Sequence, residues 1–334
     1  MKKKRITAVV VGFAIIFGVL GFFLLKDLML PEKVQTLRLG TLPDAICALL
    51  YIAEQQGMFK RNGLDIVFDE NYQGGLYAVE GLLAGKVDVA TATEFVLAVQ
   101  SFRKDRLRAI GTVCSSHNTE MIARRDHGIA KPEDLRGKRV GVSKGTIGEF
   151  LLHAFLSSND LRPNEIQPVY LKPAEIVTAL SEGAIDAAVC YPPFWDTIKK
   201  NLGDKAVLWS VQGGQDFYYL LITTDELIRT RSHSFHAFLK GLLEAETFLR
   251  KHEREAQDIV TRKLNLDRQA LFNNWSKTNF RVRLDQDLLT LMEDEARWAI
   301  RNKLVDAEKV PNYLNFLYLD GLKKIKPEAV GVIH

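Results

Sequence analysis

Arg139–Leu156, RVGVSKGTIGEFLLHAFL, runs a short β-branched segment into a turn holding Gly and Lys and then into an amphipathic helix. Val140 and Val142 read as a strand, and Ile147, Phe150, Leu151, Ala154 and Phe155 repeat at helical spacing. The turn between them is not a nucleotide cradle. A P-loop needs Lys and then Ser or Thr directly after its second glycine, whereas Lys144 precedes Gly145. The dinucleotide fingerprint fails as well, because Gly141, Gly145 and Gly148 are spaced G-x-x-x-G-x-x-G. What remains is a strand–turn–helix unit with free amides at a helix N-terminus, a place that favours an anion or a hydrogen-bond acceptor. A βα turn that binds only water is the alternative.

The same layout occurs once before. RLGTLPDAICALL (Arg38–Leu50) aligns with RVGVSKGTIGEFLL, and NGLDIVFDE aligns with NEIQPVYLK. LLAGKVDVATATEF (Leu82–Phe95) aligns with LSEGAIDAAVCYPPF (Leu180–Phe194) through Gly85 and Gly183 and through Asp88 and Asp186. The spacing is also shared: Gly40 to Gly85 is 45 residues and Gly141 to Gly183 is 42. Two matched blocks in the same order point to two similar units.

Between these blocks strands and helices alternate, which predicts an α/β fold with largely parallel sheets covered by helices on both faces. Beyond Tyr219 come a strand, YYLLITT, and amphipathic helices in SFHAFLKGLLEAETFLRKH and LLTLMEDEARWAIRNKL. Their apolar faces need a surface, and the first unit supplies it if the chain crosses back. The expected organisation is therefore residues 36–120 plus 220–334 as lobe one and 121–219 as lobe two. SSHNTEMIARRD and QDFYYLLITT would be the crossings. A cleft between lobes is where open α/β sheets bind ligands, outside the carboxyl ends of the strands.

The chain has 334 residues, a formal net charge of +4 and a pI near 8.8. Lys2, Lys3, Lys4 and Arg5 account for that charge, so the basicity is a terminal tag and no nucleic-acid surface is implied. Behind the tag, Ala8–Leu25 (AVVVGFAIIFGVLGFFLL) carries no polar side chain. As a helix it would span about 27 Å, close to the thickness of a bilayer's hydrocarbon core. FFLLKDLML offers no small-x-small cleavage site, and no cysteine precedes Cys47 to take a lipid. Residues 1–26 thus read as an uncleaved signal anchor, basic end in the cytoplasm and the rest outside, followed by a linker over 27–35. A cleaved signal peptide is the other reading. Cys47, Cys114 and Cys190 lie far apart, and the seven histidines make no ligand spacing, so neither a disulfide framework nor a metal site is expected.

With these blocks in place the sequence resembles the type II periplasmic-type substrate-binding proteins of the nitrate, sulfonate, taurine and thiamine-precursor group. The resemblance is carried by YIAEQQGMFKRNGLDIVF, LLAGKVDVATATEF, MIARRDHGIAKPEDLRGKRVGVSKGTIGEFLL and ALSEGAIDAAVCYPPF, and it covers most of residues 36–255. It implies a two-lobed fold that closes around a small molecule and delivers it to the permease and ATPase of an ABC importer, without a cofactor. Two departures stand out. Pro192 precedes Pro193 where many members have an acidic residue, and the usual lipidated cysteine is absent.

The loops through which such proteins hold their ligands correspond here to Thr41, Asp44, Gly74, Thr93 and Glu94 in lobe one. In lobe two they correspond to Lys144, Gly145, Thr146 and Tyr191, with His117 and Asn118 near the crossing. Each also has a plainer reading. Thr146 could cap its helix. Asp44 and Glu94 could complement the positive ends of theirs, and Lys144 could simply be solvated. If these groups do face the cleft, two carboxylates and one ammonium suit an amino-bearing or pyrimidine-like organic molecule better than a bare oxyanion such as nitrate. A ligand sensor serving a separate membrane partner is an alternative. A third possibility is an enzyme like those of thiamine-pyrimidine synthesis, with Cys190 after a strand, but one cysteine is not the cysteine-rich segment those enzymes use.

Overall fold

The computed structural model describes residues 34–333 apart from 104, 105 and 267. The signal anchor expected at Ala8–Leu25 lies outside the described residues. Among those described, no helix is long and apolar enough to cross a membrane.

The strands form two main sheets. The first contains β1 (Gln35–Gly40), β2 (Leu64–Asp69), β3 (Val89–Thr93), β4 (Leu107–Ser116), β10 (Phe217–Thr224) and β11 (Thr278–Asn279), in the order β11-β4-β10-β3-β1-β2. The second contains β5 (Glu120–Arg124), β6 (Arg139–Val142), β7 (Gln167–Tyr170), β8 (Ala187–Cys190) and β9 (Ala206–Ser210), in the order β7-β6-β8-β5-β9. The chain passes between sheets over His117–Thr119 and again over Val211–Asp216. Gly40 lies in the first sheet and Gly141 in the second.

The repeat seen in the sequence is one physical device built twice. In each copy a helix ends at a glycine with positive φ, 72° at Gly85 and 81° at Gly183, a left-handed conformation that costs glycine little. Three residues later an aspartate clips the next strand to its neighbour. Asp88 Oδ2 accepts from the Arg38 amide and Oδ1 from the Arg38 guanidinium, both at 2.8 Å. Asp186 accepts from Arg139 through the same atoms at the same distances. The fork brings β1 beside β3 and β6 beside β8, each pair parallel.

The sheets are not mostly parallel, as the alternation of elements had suggested, but mixed. β10 is antiparallel to both β3 and β4, and β5 is antiparallel to both β8 and β9. The reason lies in the connections. A parallel neighbour needs a crossover helix, whereas β5 and β10 enter directly from the other sheet through short connections and insert in the opposite sense.

The C-terminal helices bury their apolar faces on the first sheet's layer. Asp225–Lys251 packs on Ala48–Gln55, and Gln286–Arg301 packs on Glu94–Gln100. Asp225–Lys251 also packs on the short helix Met58–Arg61, and there a Cβ at Gly241 would stand 2.7 Å from the Phe59 ring, so this contact needs a residue without a side chain. A smaller core, with Ile176, Leu180, Trp195 and Ile198 at its centre, lies between the second sheet and helices Pro173–Glu182 and Phe194–Leu202.

Candidate functional site

The loops at the carboxyl ends of β1, β3, β6 and β8 converge with the first crossing and the start of β10 around a cavity of about 50 Å³. That is room for a few waters or one small organic group. Asp44, Gly74, Thr93, Asn118, Thr146 and Tyr191 all line it.

After β1, Pro43 stops the strand and Asp44 opens the short helix Ala45–Cys47, its Oδ1 accepting from the Ile46 amide at 3.3 Å. Asp44 therefore complements a helix N-terminus and also faces the cavity. It is 4% exposed, and burial, with the charge of Asp196 adding to it, pushes its carboxyl up to about 7. Thr93, at the end of β3, presents a hydroxyl with no hydrogen-bond partner among the described residues. Asn118 on the first crossing is 1% exposed, and neither its amide nitrogen nor its amide oxygen has a partner among the described residues. An orphaned buried carboxamide of this kind costs free energy unless a ligand or water meets it.

Tyr191 follows β8 and reaches across to the loop after β2, donating from its hydroxyl to the Gln73 carbonyl at 3.2 Å. Gly74 makes room for it, since a Cβ there would lie 2.8 Å from the Tyr191 oxygen. Burial pushes the phenols of Tyr191 and Tyr219 above their ordinary range, so both remain neutral donors.

The turn Ser143–Gly148 contributes less than its sequence implied. The Gly145 amide donates to Glu149 Oε2 at 2.8 Å, so the acceptor comes from the turn's own helix. Thr146 does not cap that helix with its side chain. Its hydroxyl donates to the Ser143 carbonyl at 2.7 Å, and the residue faces the cavity alongside Ile147.

Five of the expected residues do not line the cavity. Thr41 sits beneath it, its Oγ1 2.7 Å from Thr91 Oγ1, which in turn donates to the Tyr219 hydroxyl. Glu94 turns away into the protein and accepts from the Tyr218 amide at 2.8 Å. His117 lies on the crossing with Nε2 3.0 Å from Ser210 Oγ. Lys144 and Gly145 open onto a separate groove with Arg103, and the Lys144 ammonium sits 5.3 Å from the centre of the Tyr170 ring.

Sequence reasoning missed Tyr77, Thr119, Phe217 and Tyr219. The last two were visible in principle: they alternate at the head of β10 in QDFYYLLITT, so their side chains share a face. Thr119 also holds the two crossings together. Its amide donates to Gln212 Oε1 at 2.8 Å, while Gln212 Nε2 donates to the Ser116 carbonyl at 3.0 Å. Cys190 is not part of the lining, and burial pushes its thiol up.

Residues 45–256 match the family described as NMT1/THI5 like. The chain is 26% identical over 226 residues to a Brucella abortus (strain 2308) protein named as a binding protein, covering 66% of this chain and 68% of the relative. It is 26% identical over 164 residues to the taurine-binding periplasmic protein of Escherichia coli (strain K12), covering 49% of this chain and 50% of that one. Among solved structures, the alkanesulfonate-binding protein SsuA from Xanthomonas axonopodis pv. citri bound to MOPS superposes with a TM-score of 0.72 at 17% identity, covering 86% of this chain and 98% of that one. The architecture is thus that of the periplasmic binding proteins. The family match spans well over half of the sequence, and the chain belongs to the NMT1/THI5-like family.

Proposed function

We propose that this protein is an extracytoplasmic substrate-binding protein that captures a small organic molecule between two lobes and hands it to the permease and ATPase of an ABC importer. In this reading residues 36–120 plus 220–334 move as one lobe and 121–219 as the other, and Ala8–Leu25 tethers the chain to the membrane. The observation that carries the reading is the orphaned, buried carboxamide of Asn118 facing an enclosed cavity to which both sheets contribute. A group placed there without partners suits an arriving ligand.

The names of the relatives speak of taurine and an alkanesulfonate. An anion would meet a different environment here, because the lining includes Asp44 and, among the described residues, no Lys, Arg or His. An amino-bearing or neutral organic molecule is the better match. Among the described residues the lining holds no nucleophile with an adjacent base, which favours binding over catalysis.

The test is to purify the protein from its own host without denaturation, extract it and identify retained small molecules by mass spectrometry, then to measure uptake of that compound in cells lacking the gene. A retained compound whose uptake falls in the deletion strain is expected. Undiminished uptake would remove the transport role.

A further inference from the structure

We propose that the ligand is an organic ammonium ion with a compact apolar or aromatic body, its charged nitrogen held at Asp44 where the inner cavity meets an acidic vestibule. This deepens the binding-protein reading and rests on it. Among the described residues, Asp44 is the only carboxylate, and the only Asp, Glu, Lys, Arg or His, on the wall of the inner cavity. It also lines a second hollow of about 290 Å³ that opens beside the first, together with Pro43, Glu70, Pro193, Asp196 and Lys263. Three of these vestibule groups are acidic. The ammonium of Lys263 is already engaged, 3.2 Å from Glu70 and 3.7 Å from Glu54. The approach is thereby negative and favours cations.

Inside, Tyr77, Tyr191, Phe217 and Tyr219 supply aromatic surface, and aromatic faces attract a cation. The same rings suit an apolar body. The Asn118 amide, whose nitrogen and oxygen have no partner among the described residues, can read a polar group on the same ligand. A buried carboxylate without a counter-charge is costly, and an incoming ammonium removes that cost.

The titratable groups around Asp44 are Asp196 and Glu70 on the acidic side, Lys263, and the buried side chains of Cys47, Tyr51, Cys114, Tyr191 and Tyr219. Burial pushes those thiols and phenols up, so they stay protonated. Among these groups the proton that responds near neutrality is then the one on Asp44, whose carboxyl burial raises to about 7. Only the ionised form pairs with an ammonium, so affinity rises as pH rises through about 7 and binding releases a proton.

The experiment is calorimetry on the wild-type protein and Asp44→Asn with three matched probes: benzylammonium, benzyl alcohol and benzenesulfonate. Asparagine keeps the cap on Ile46 and removes the charge. Wild type is expected to bind benzylammonium at least about tenfold more tightly than either other probe, with proton release seen as a buffer-dependent enthalpy. Asp44→Asn should lose about tenfold or more for benzylammonium and lose the pH dependence. Equal binding of benzylammonium by both proteins, or preferred binding of benzenesulfonate, overturns the assignment. If no probe binds but a molecule is retained from the host, the ammonium assignment fails and the binding-protein reading stands. If no probe binds and nothing is retained, both fail.

Discussion

Glu94 and Glu295 are wholly withdrawn from solvent where helices Glu94–Gln100 and Gln286–Arg301 pack together. Glu94 Oε2 accepts from the Tyr218 amide, while among the described residues Glu94 Oε1 and both oxygens of Glu295 have no partner as carboxylates. Two buried like charges cannot both persist, and burial pushes both carboxyls up, so the pair holds a shared proton at neutral pH. Because the folded carboxyls lie above their unfolded values, the stability they contribute is complete at low pH and is lost as pH rises through about 8. Glu295→Gln supplies a permanent donor in place of that proton. Thermal melts should show no gain near pH 5 and a gain on the order of 1 kcal/mol above pH 8, or a Tm about 2–4 °C higher. Parallel pH profiles for the two proteins would mean that no proton is shared. The same pair shows why Glu94 looked like a ligand contact in the sequence. It adjoins Thr93 at a strand–helix junction, where consecutive side chains diverge, and only packing decides which of the two faces the cleft.

At the level of elements, the strand–helix units were legible because each is written locally, in a β-branched run, a helical period, a glycine and an aspartate. Strand direction was not, because β10 owes its antiparallel sense to arriving from the other sheet. The role of the Gly74–Gly75 pair was legible only in part. Gly74 was expected at the ligand, but the demand on Gly75 comes from β3. A Cβ on Gly75 would stand 2.5 Å from Ala92 Cα and 2.6 Å from Ala92 Cβ, and strand backbone cannot yield as a flexible side chain can. Helix Gly75–Leu83 docks on β3 through this contact, and its first turn carries Leu76 and Tyr77 into the cavity wall. Gly75→Ala should therefore destabilise the protein by about 1–3 kcal/mol. It should also weaken ligand binding, since the helix must shift outward. Denaturant titration with an unchanged midpoint would show that the strand relaxes at little cost.

For the whole molecule, a hydrogen bond from Tyr191 to the Gln73 carbonyl joins the two proposed lobes, and so do the ring contacts of Phe150 with Phe95 and of Phe150 and His153 with Trp298. A further link, Lys277 to Glu120 at 2.8 Å, lies by the crossings and joins the two sheets' layers close to where they are already connected. In the proposed two-lobe motion the ring contacts at Trp298 and the Tyr191 bond both need the lobes shut, and the Tyr191 bond is the polar one, since each of its partners can bond water when they part. In an open–closed equilibrium such a contact acts only on the closed state, and a ligand that requires closure inherits its contribution. A neutral hydrogen bond exchanged with water contributes about 0.5–1.5 kcal/mol. Tyr191→Phe keeps the ring on the cavity wall and removes only the hydroxyl, so it should weaken binding by about two- to tenfold. Folding of the ligand-free protein should be untouched to the extent that this protein is open without ligand. Calorimetry with the compound retained from the host gives the first quantity and thermal melts without ligand the second, while small-angle scattering should show a larger ligand-free radius of gyration for the variant if the bond closes the lobes unaided. Unchanged affinity together with an unchanged radius would show that Tyr191 meets Gln73 without holding the lobes together.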